Sequence, residues 1–324
     1  MVTDTQFLIR NLFVIAVIVV AGCAPSPRNI NPQSQVDVVL PVDLEFVGVY
    51  ENEKGAPYFP IDSISAVKYA NDGTLYFSDE VRGLVHGLDP RKGDWFTFDT
   101  PGAFFRPVDI QVDGLWVLVL DFENRMLFRF NKVGVYHNRL INFPFLDPGY
   151  NREPFAFDMD VDGRVVVCDY SEQQVLMLDS YLELQQYLGS SGTNREQFIQ
   201  PSGIAYQPDG GFVVSDQGNS RVHLYNRMGY FEADTGGWYD PKNPMRTPQG
   251  IDSDSAGNIF VADPAASAVH VYSRGLEYLF SAGPEMGVLA APMEPVDVAV
   301  GPDDLIAVAD KGRHAVIVFR IIYR

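Results

Sequence analysis

Cysteine is nearly missing from this chain: of 324 residues, only Cys23 and Cys168 carry a thiol. Two thiols cannot build a multi-bridge disulfide framework or a four-cysteine zinc site. Histidine is also scarce, at five residues, and no converging set of three stands out. Cations are outnumbered, with 24 Lys and Arg against 42 Asp and Glu and a net charge of −18. Proteins hold nucleic acid largely by neutralising phosphates with cations, so such a surface repels it and nucleic acid is not the expected partner. The charge itself needs no more than solubility to explain it. Long apolar runs are lacking too. The longest, residues 12–21 (LFVIAVIVVA), has ten residues, about half of what a membrane-spanning helix needs. No nucleophile elbow, phosphate-cradling glycine loop or paired cysteine ligands can be found.

What is present is a repeat. The stretch 200–231 (QPSGIAYQPDGGFVVSDQGNSRVHLYNRMGYF) reads as short strands separated by Pro-Asp-Gly-Gly, Gly-Asn-Ser and Asn-Arg-Met-Gly turns; such turns need the positive φ that glycine accepts. One small sheet of this kind cannot bury both of its faces, which predicts copies. Aligning on Asp216 finds Asp79, Asp121, Asp169, Asp263 and Asp310, at intervals of 42, 48, 47, 47 and 47 residues. Pro154, Pro201, Pro248 and Pro295 each stand fifteen residues before their aspartate, and Pro107 is one residue closer. Six four-stranded units at this period predict an all-β, six-bladed β-propeller.

The residues Pro-Ser-Gly-Ile-Ala, Pro-Asp-Gly-Gly-Phe-Val-Val-Ser-Asp, Asn-Ser-Arg-Val-His-Leu-Tyr and Met-Gly of the fourth unit resemble an NHL repeat. The unit at Pro248 resembles it nearly as well, and those near Ile64 and Pro107 less closely, since they lack the Gly-Ile-Ala step. The resemblance spans about residues 44–324. It implies a six-bladed propeller but no single activity, because the family includes RNA binders, sensors, scaffolds and a few lyases. The lyase members use a histidine set that is not evident here.

The N-terminus divides into three parts. Residues 1–22 end in a short apolar run followed by Val20-Ala21-Gly22-Cys23, which resembles a bacterial lipobox. The resemblance implies a signal peptide cleaved before Cys23, which becomes the acylated anchor; several acyl chains, at about 0.8 kcal/mol per buried methylene, hold almost irreversibly. Residues 23–42 are rich in Pro, Asn, Ser and Gln and read as a tether. Ala24 is not the aspartate that retains lipoproteins in the inner membrane, so the resemblance favours the outer membrane in a host that has one. Residues 43–324 form the propeller. Its sixth unit reaches Arg324 with only three strands, so Leu44–Tyr50, which alternates as a strand, is expected to supply the fourth and close the ring.

Candidate site residues fall into five sets. Loops on one propeller face carry Phe104, Phe105, Phe143, Tyr150, Phe198, Trp238, Tyr239 and Met245. These either form a recognition surface for an envelope protein, peptide or glycan or fill gaps above the blades. The recurring aspartates are read as structural, accepting backbone N–H bonds from the next loop, with Arg82, Arg125, Arg221 and Arg313 pairing locally. Asp109 and Asp297 break the repeat two residues after the proline, where other units have Ala or Gly. With Glu153, Glu294 and Asp252 they line a water-filled channel or hold a hard cation such as Ca²⁺. His86, His223 and His270 share one register and are expected to bond across blade interfaces. Cys168 reads as a small core residue. The leading expectation is a non-catalytic, monomeric binding module; the alternative is a metal-dependent hydrolase or lactonase.

Overall fold

The computed structural model describes residues 39–51, 61–98, 104, 106–283 and 292–324. The proposed signal peptide, Cys23 and most of the tether, together with Phe105, lie outside the described residues. Val39–Arg324 is one compact unit of six four-stranded antiparallel sheets. Each sheet is a blade, and together they make a six-bladed propeller.

The repeat explains the blade. In the fourth, Pro201–Tyr206 is innermost, followed outward by Phe212–Asp216, Arg221–Tyr225 and Phe231–Gly236. Five of the six innermost strands open with a register shift after their first residue, such as Pro201/Gly203 and Pro295/Asp297. Proline suits that place because an edge strand's first residue has no ladder bond to donate. The shift turns the next residue, Ser65, Val108, Phe155, Ser202 or Val296, toward the channel mouth. Second strands are buried throughout in four blades, and in all but their first residue in the second and sixth, since they pack against blades on both sides. Cys168 is such a residue, fully buried, and burial pushes its thiol well up.

Each blade aspartate ends a second strand and is fully buried. It accepts N–H bonds from two loops: Asp216 from Ile199 (2.8 Å), and Asp79 from Asp62 (2.7 Å), Val81 (3.1 Å) and Arg82 (3.1 Å). Four residues on, every blade places a left-handed residue: Gly83, Arg125, Gln173, Ser220, Ser267 and His314, with φ of 52–62°. The register is therefore a turn device that ties consecutive blades together.

The sixth blade, Pro295–Val300, Leu305–Asp310 and Ala315–Tyr323, is completed by Pro41–Tyr50. The pairing is antiparallel, Pro41 with Tyr323 and Tyr50 with Val316. The strand begins two residues ahead of the expected boundary at 43, because Pro41 already lies in the sheet. Leu44 is buried in one core cluster with Ile317, Phe319 and Ile321, and Phe46 and Val49 pack against it. Asn258 donates to the Val39 carbonyl (3.1 Å) and the Tyr323 hydroxyl to Asp254 (3.1 Å), pegging the same end.

Strand direction sorts the two faces. Inner strands start on the loop face, where the blade aspartates also end, and run to a hairpin face of tight turns. The closing strand runs the other way and enters the ring on the hairpin face.

Candidate functional site

The axial channel opens on the loop face as a cavity of about 270 Å³. Glu80, Tyr170, Gln217 and Lys311, each one residue beyond a blade aspartate, form its rim together with Arg106 and Phe155. Asp109 and Asp297 lie deeper. Glu80 accepts from Arg106 Nε (3.0 Å), Lys311 Nζ (2.5 Å) and Ser63 Oγ (3.1 Å). Burial opposes its charge, but the two cations outweigh burial and hold the carboxyl below its usual range.

The channel carboxylates follow one geometric rule. Asp109 of the second blade accepts from Phe157 N–H of the third (2.7 Å), and Asp297 of the sixth from Val67 N–H of the first (2.8 Å). Two residues further along the strand, Asp158 accepts from Tyr206 N–H (2.7 Å) and Asp252 from Val300 N–H (2.9 Å), again each in the next blade. An innermost strand is a sheet edge with N–H groups pointing at no neighbour strand. These carboxylates satisfy such groups across four of the six seams. The approach is close: a Cβ on Gly250 would lie 2.0 Å from Asp297 Oδ1, which is why the fifth blade has glycine there.

Lys68 of the first blade reaches Asp252 of the fifth (3.1 Å) with the sixth blade between them in the ring. Burial opposes its charge, yet Asp252, Asp158 and Asp109 outweigh that and raise its pKa. Lys68, Gln111, Asp158 and Asp252 all stand at one register, four residues after Ile64, Pro107, Pro154 and Pro248. Of these only Asp252 was picked out from sequence; reading that register across all six units would have found the others. Glu153 and Glu294 are not in the channel. They sit on the loop side, where their N–H groups bond Asp169 (3.1 Å) and Asp310 (3.0 Å), because the proline that follows each one starts the inner strand.

Burial raises Asp297 to about 7 and Asp158 to about 6, and pushes Asp109 well above the carboxylate range with help from the charge on Asp297. A carboxyl raised in the folded state holds its proton more tightly there than in the unfolded chain. The contribution of these groups to stability is then greatest at low pH and is lost as pH rises from about 4 to 7. Asp297→Asn keeps an oxygen for Val67 N–H and removes the charge. It is expected to unfold about 1–2 kcal/mol harder than the parent at pH 8, a figure reduced from the full shift because water reaches the cavity. The difference should vanish near pH 4, and urea titrations at both pH values check it.

The channel fits a divalent cation poorly. Asp109 also bonds Ile110 N–H (2.7 Å), so both of its oxygens accept backbone donors. A lysine ammonium shares the space, whereas Ca²⁺ asks for six to eight oxygens. Among the described residues, no group of three or more His, Cys, Asp or Glu is arranged to hold a metal ion.

The loop aromatics divide. Phe104, Phe143, Phe198 and Met245 are buried and so take the gap-filling alternative rather than the surface one. Phe104 packs on Phe128 and Phe130, and Phe198 on His223 (4.7 Å). They fill the gaps between loops and blades. Tyr150, Trp238 and Tyr239 are exposed, the last two at 66% and 100%; Phe145, also exposed, was missed. Trp238 is held by its Nε1–H, which donates to Gly218 O (2.9 Å).

Two further expectations are corrected. The histidines bond within their own blades: His223 Nε2 lies 3.1 Å from Asp216, His86 Nδ1 3.0 Å from Thr97 Oγ1 and His270 Nδ1 2.7 Å from Ser281 Oγ. Third-strand side chains at this register meet the blade's own neighbours first. Arg82, Arg221 and Arg313 pair with their blade aspartates (4.0, 2.9 and 2.6 Å), but Arg125 turns to Asn151 (2.5 Å). In the third blade the cation comes from the preceding loop. Arg152 is fully buried between Asp169 and Asp147 (both 2.9 Å) and stacks on Tyr150 and Tyr187.

A family model for the NHL repeat matches residues 293–319, spanning the first two strands of the sixth blade and part of the third. The chain carries an NHL repeat. No curated protein matches the chain in sequence. Solved structures do match this propeller in fold. A calcium-binding protein, regucalcin, from Agrobacterium tumefaciens is 14% identical, with a TM-score of 0.62 over 86% of this chain and 95% of its own. Virginiamycin B lyase from Staphylococcus aureus, a catalytically inactive H270A form with quinupristin, is 9% identical, with a TM-score of 0.59 over 85% and 99%. A chain of a nidogen/laminin complex is 14% identical, with a TM-score of 0.57 over 75% and 92%. At these identities the likeness is one of fold.

Proposed function

We propose that this NHL propeller is a lipid-anchored binding module of the bacterial envelope, of the outer membrane where the host has one. Its loop face engages a protein, peptide or glycan without chemistry. The observation that carries this reading is the employment of the channel carboxylates. Asp109, Asp158, Asp252 and Asp297 fasten blade to blade, while Trp238 and Tyr239 stand out into solvent on the loop face. Large, oriented aromatic side chains are what recognition surfaces favour. The paired change Trp238→Ala and Tyr239→Ala is expected to weaken capture of envelope partners by the purified lipoprotein at least tenfold with an unchanged melt. Undiminished capture would remove the loop face from the reading.

A second reading, a metal-dependent hydrolase or lactonase, is favoured by the cavity itself and its raised carboxyl pKa values, since such groups gather at functional sites. Under the proposed function, chelator treatment of the purified protein leaves its melting temperature within about 1 °C, and elemental analysis finds no stoichiometric Ca²⁺ or Zn²⁺. A bound metal with a clear loss of stability on chelation would favour the hydrolase.

A further inference from the structure

The cavity at the loop end of the channel is lined unevenly. Its charged side chains all come from the sixth, first and second blades: Lys311 and Asp297, Glu80 and Lys68, Arg106 and Asp109. The third, fourth and fifth blades supply only neutral residues, among them Phe155, Tyr170, Gln217 and Gln249. Charge is also sorted by depth. At the rim two cations, Arg106 Nε and Lys311 Nζ, share the carboxylate of Glu80. Among the described residues the terminal nitrogens of Arg106 make no hydrogen bond.

Deeper in the cavity, Asp109 and Asp297 form no ion pair among the described residues. Asp109 accepts from Ile110 and Phe157 N–H, and Asp297 from Val67 N–H. Lys68, on the floor, is taken by Asp252 (3.1 Å). A carboxylate offers about four lone-pair sites, so backbone donors leave both aspartates with acceptor capacity toward the cavity.

Gln111 is an independent sign of the same kind. It is only 9% exposed, lines the cavity and stands two residues after Asp109, on the same face of one strand. Its Nε2 donates to Phe157 O (3.1 Å), which fixes the amide with Oε1 as its other end. Among the described residues Oε1 has no donor. A buried acceptor left without a donor costs free energy, so an occupant of this space must bring N–H or O–H groups.

We propose that the axial cavity binds a small organic ammonium compound. Its –NH₃⁺ group sits among Asp109, Asp297 and Gln111, and an anionic group at its other end lies between Arg106 and Lys311. An ammonium carries three donors, one for each of the three acceptors. Arg106 precedes Asp109 by three residues, about 10 Å along an extended strand. The two ends of the ligand are therefore several carbons apart, as in an ω-amino acid. This site goes beyond the aromatic surface proposed above and uses none of its residues.

Calorimetric titration of the purified propeller at pH 8 tests the assignment. 5-Aminovalerate should bind, and pentylamine about tenfold more weakly. Valerate and tetramethylammonium, which have no N–H donors, should give no signal. Asp109→Asn and Asp297→Asn should each weaken both amines at least tenfold while the melt is retained. Lys311→Gln should abolish the preference for 5-aminovalerate and leave pentylamine at least as tight. Affinity should rise from about pH 5 to 8, as Asp109, Asp297 and Asp158, all held up by burial, give up protons. Glu80, held low, and Lys68, held high, keep their charges over that range. An absence of heat with either amine, amine binding untouched by both aspartate changes, or valerate binding as tightly as 5-aminovalerate overturns the inference. Partner capture through Trp238 and Tyr239 is read separately, so either result can fail alone.

Discussion

Deleting residues 41–50 is expected to lower the melting temperature by about 15 °C. The loss has two parts. Leu44, Phe46 and Val49 leave the core of the sixth blade, and at roughly 2 kcal/mol for each apolar side chain returned to water this costs about 6 kcal/mol. At roughly 2–4 °C per kcal/mol for a domain of this size, the shift follows. The edge of Ala315–Tyr323 is also stripped of its partner along the whole register from Tyr323 to Val316, and an open edge of that length invites pairing between molecules. Thermal melts and light scattering check both parts, and a peptide covering residues 39–51 added in trans should recover much of the stability. A truncated chain that melts within a few degrees of the parent would show that the first and sixth blades hold the ring without it.

The second large effect is expected at Asp216. Its carboxylate is fully buried and receives Ile199 N–H, Asn219 Nδ2 (2.7 Å), Arg221 Nε (2.9 Å) and His223 Nε2. Asp216→Ala leaves the nearly buried Arg221 guanidinium with only the more distant Asp234 (3.9 Å) as counter-charge, and removing one member of such a pair costs about 3–5 kcal/mol. Asp216→Asn, which keeps one acceptor oxygen, should cost roughly half as much. Urea denaturation measures the difference. Limited proteolysis should locate the damage in the loop at residues 189–200, whose carbonyls at Asn194 and Gln197 hold the same arginine. Equal losses for Ala and Asn would point to packing rather than to charge.

Both effects arise from features that the sequence displays. The six aspartates and their prolines are written at a fixed spacing, so blade number, blade limits and the structural role of Asp216 can be read directly. The missing fourth strand of the last blade is legible for the same reason: an unpaired edge in a ring demands a partner, and Leu44–Tyr50 alternates. The channel was half legible. Asp109 and Asp297 depart from Ala and Gly in other units, but Asp158, Gln111 and Lys68 stand at a register with no consensus residue to depart from. Their convergence depends on six strands meeting at one axis. The loop aromatics were the least legible, because a phenylalanine in an irregular loop covers a blade or meets solvent according to how the loop folds back. Phe198 and Tyr239 carry the same signal in sequence and have opposite fates.

Sequence alone therefore determined the number of blades, the ring closure and the acidic, cation-poor character of the surface, since repeat spacing and composition are properties of the chain itself. Only tertiary structure decided which carboxylates share a channel, which aromatic rings reach solvent and which face receives the N-terminal segment. Those depend on contacts between residues far apart in the chain, set by the direction of strands and the packing of one blade on the next.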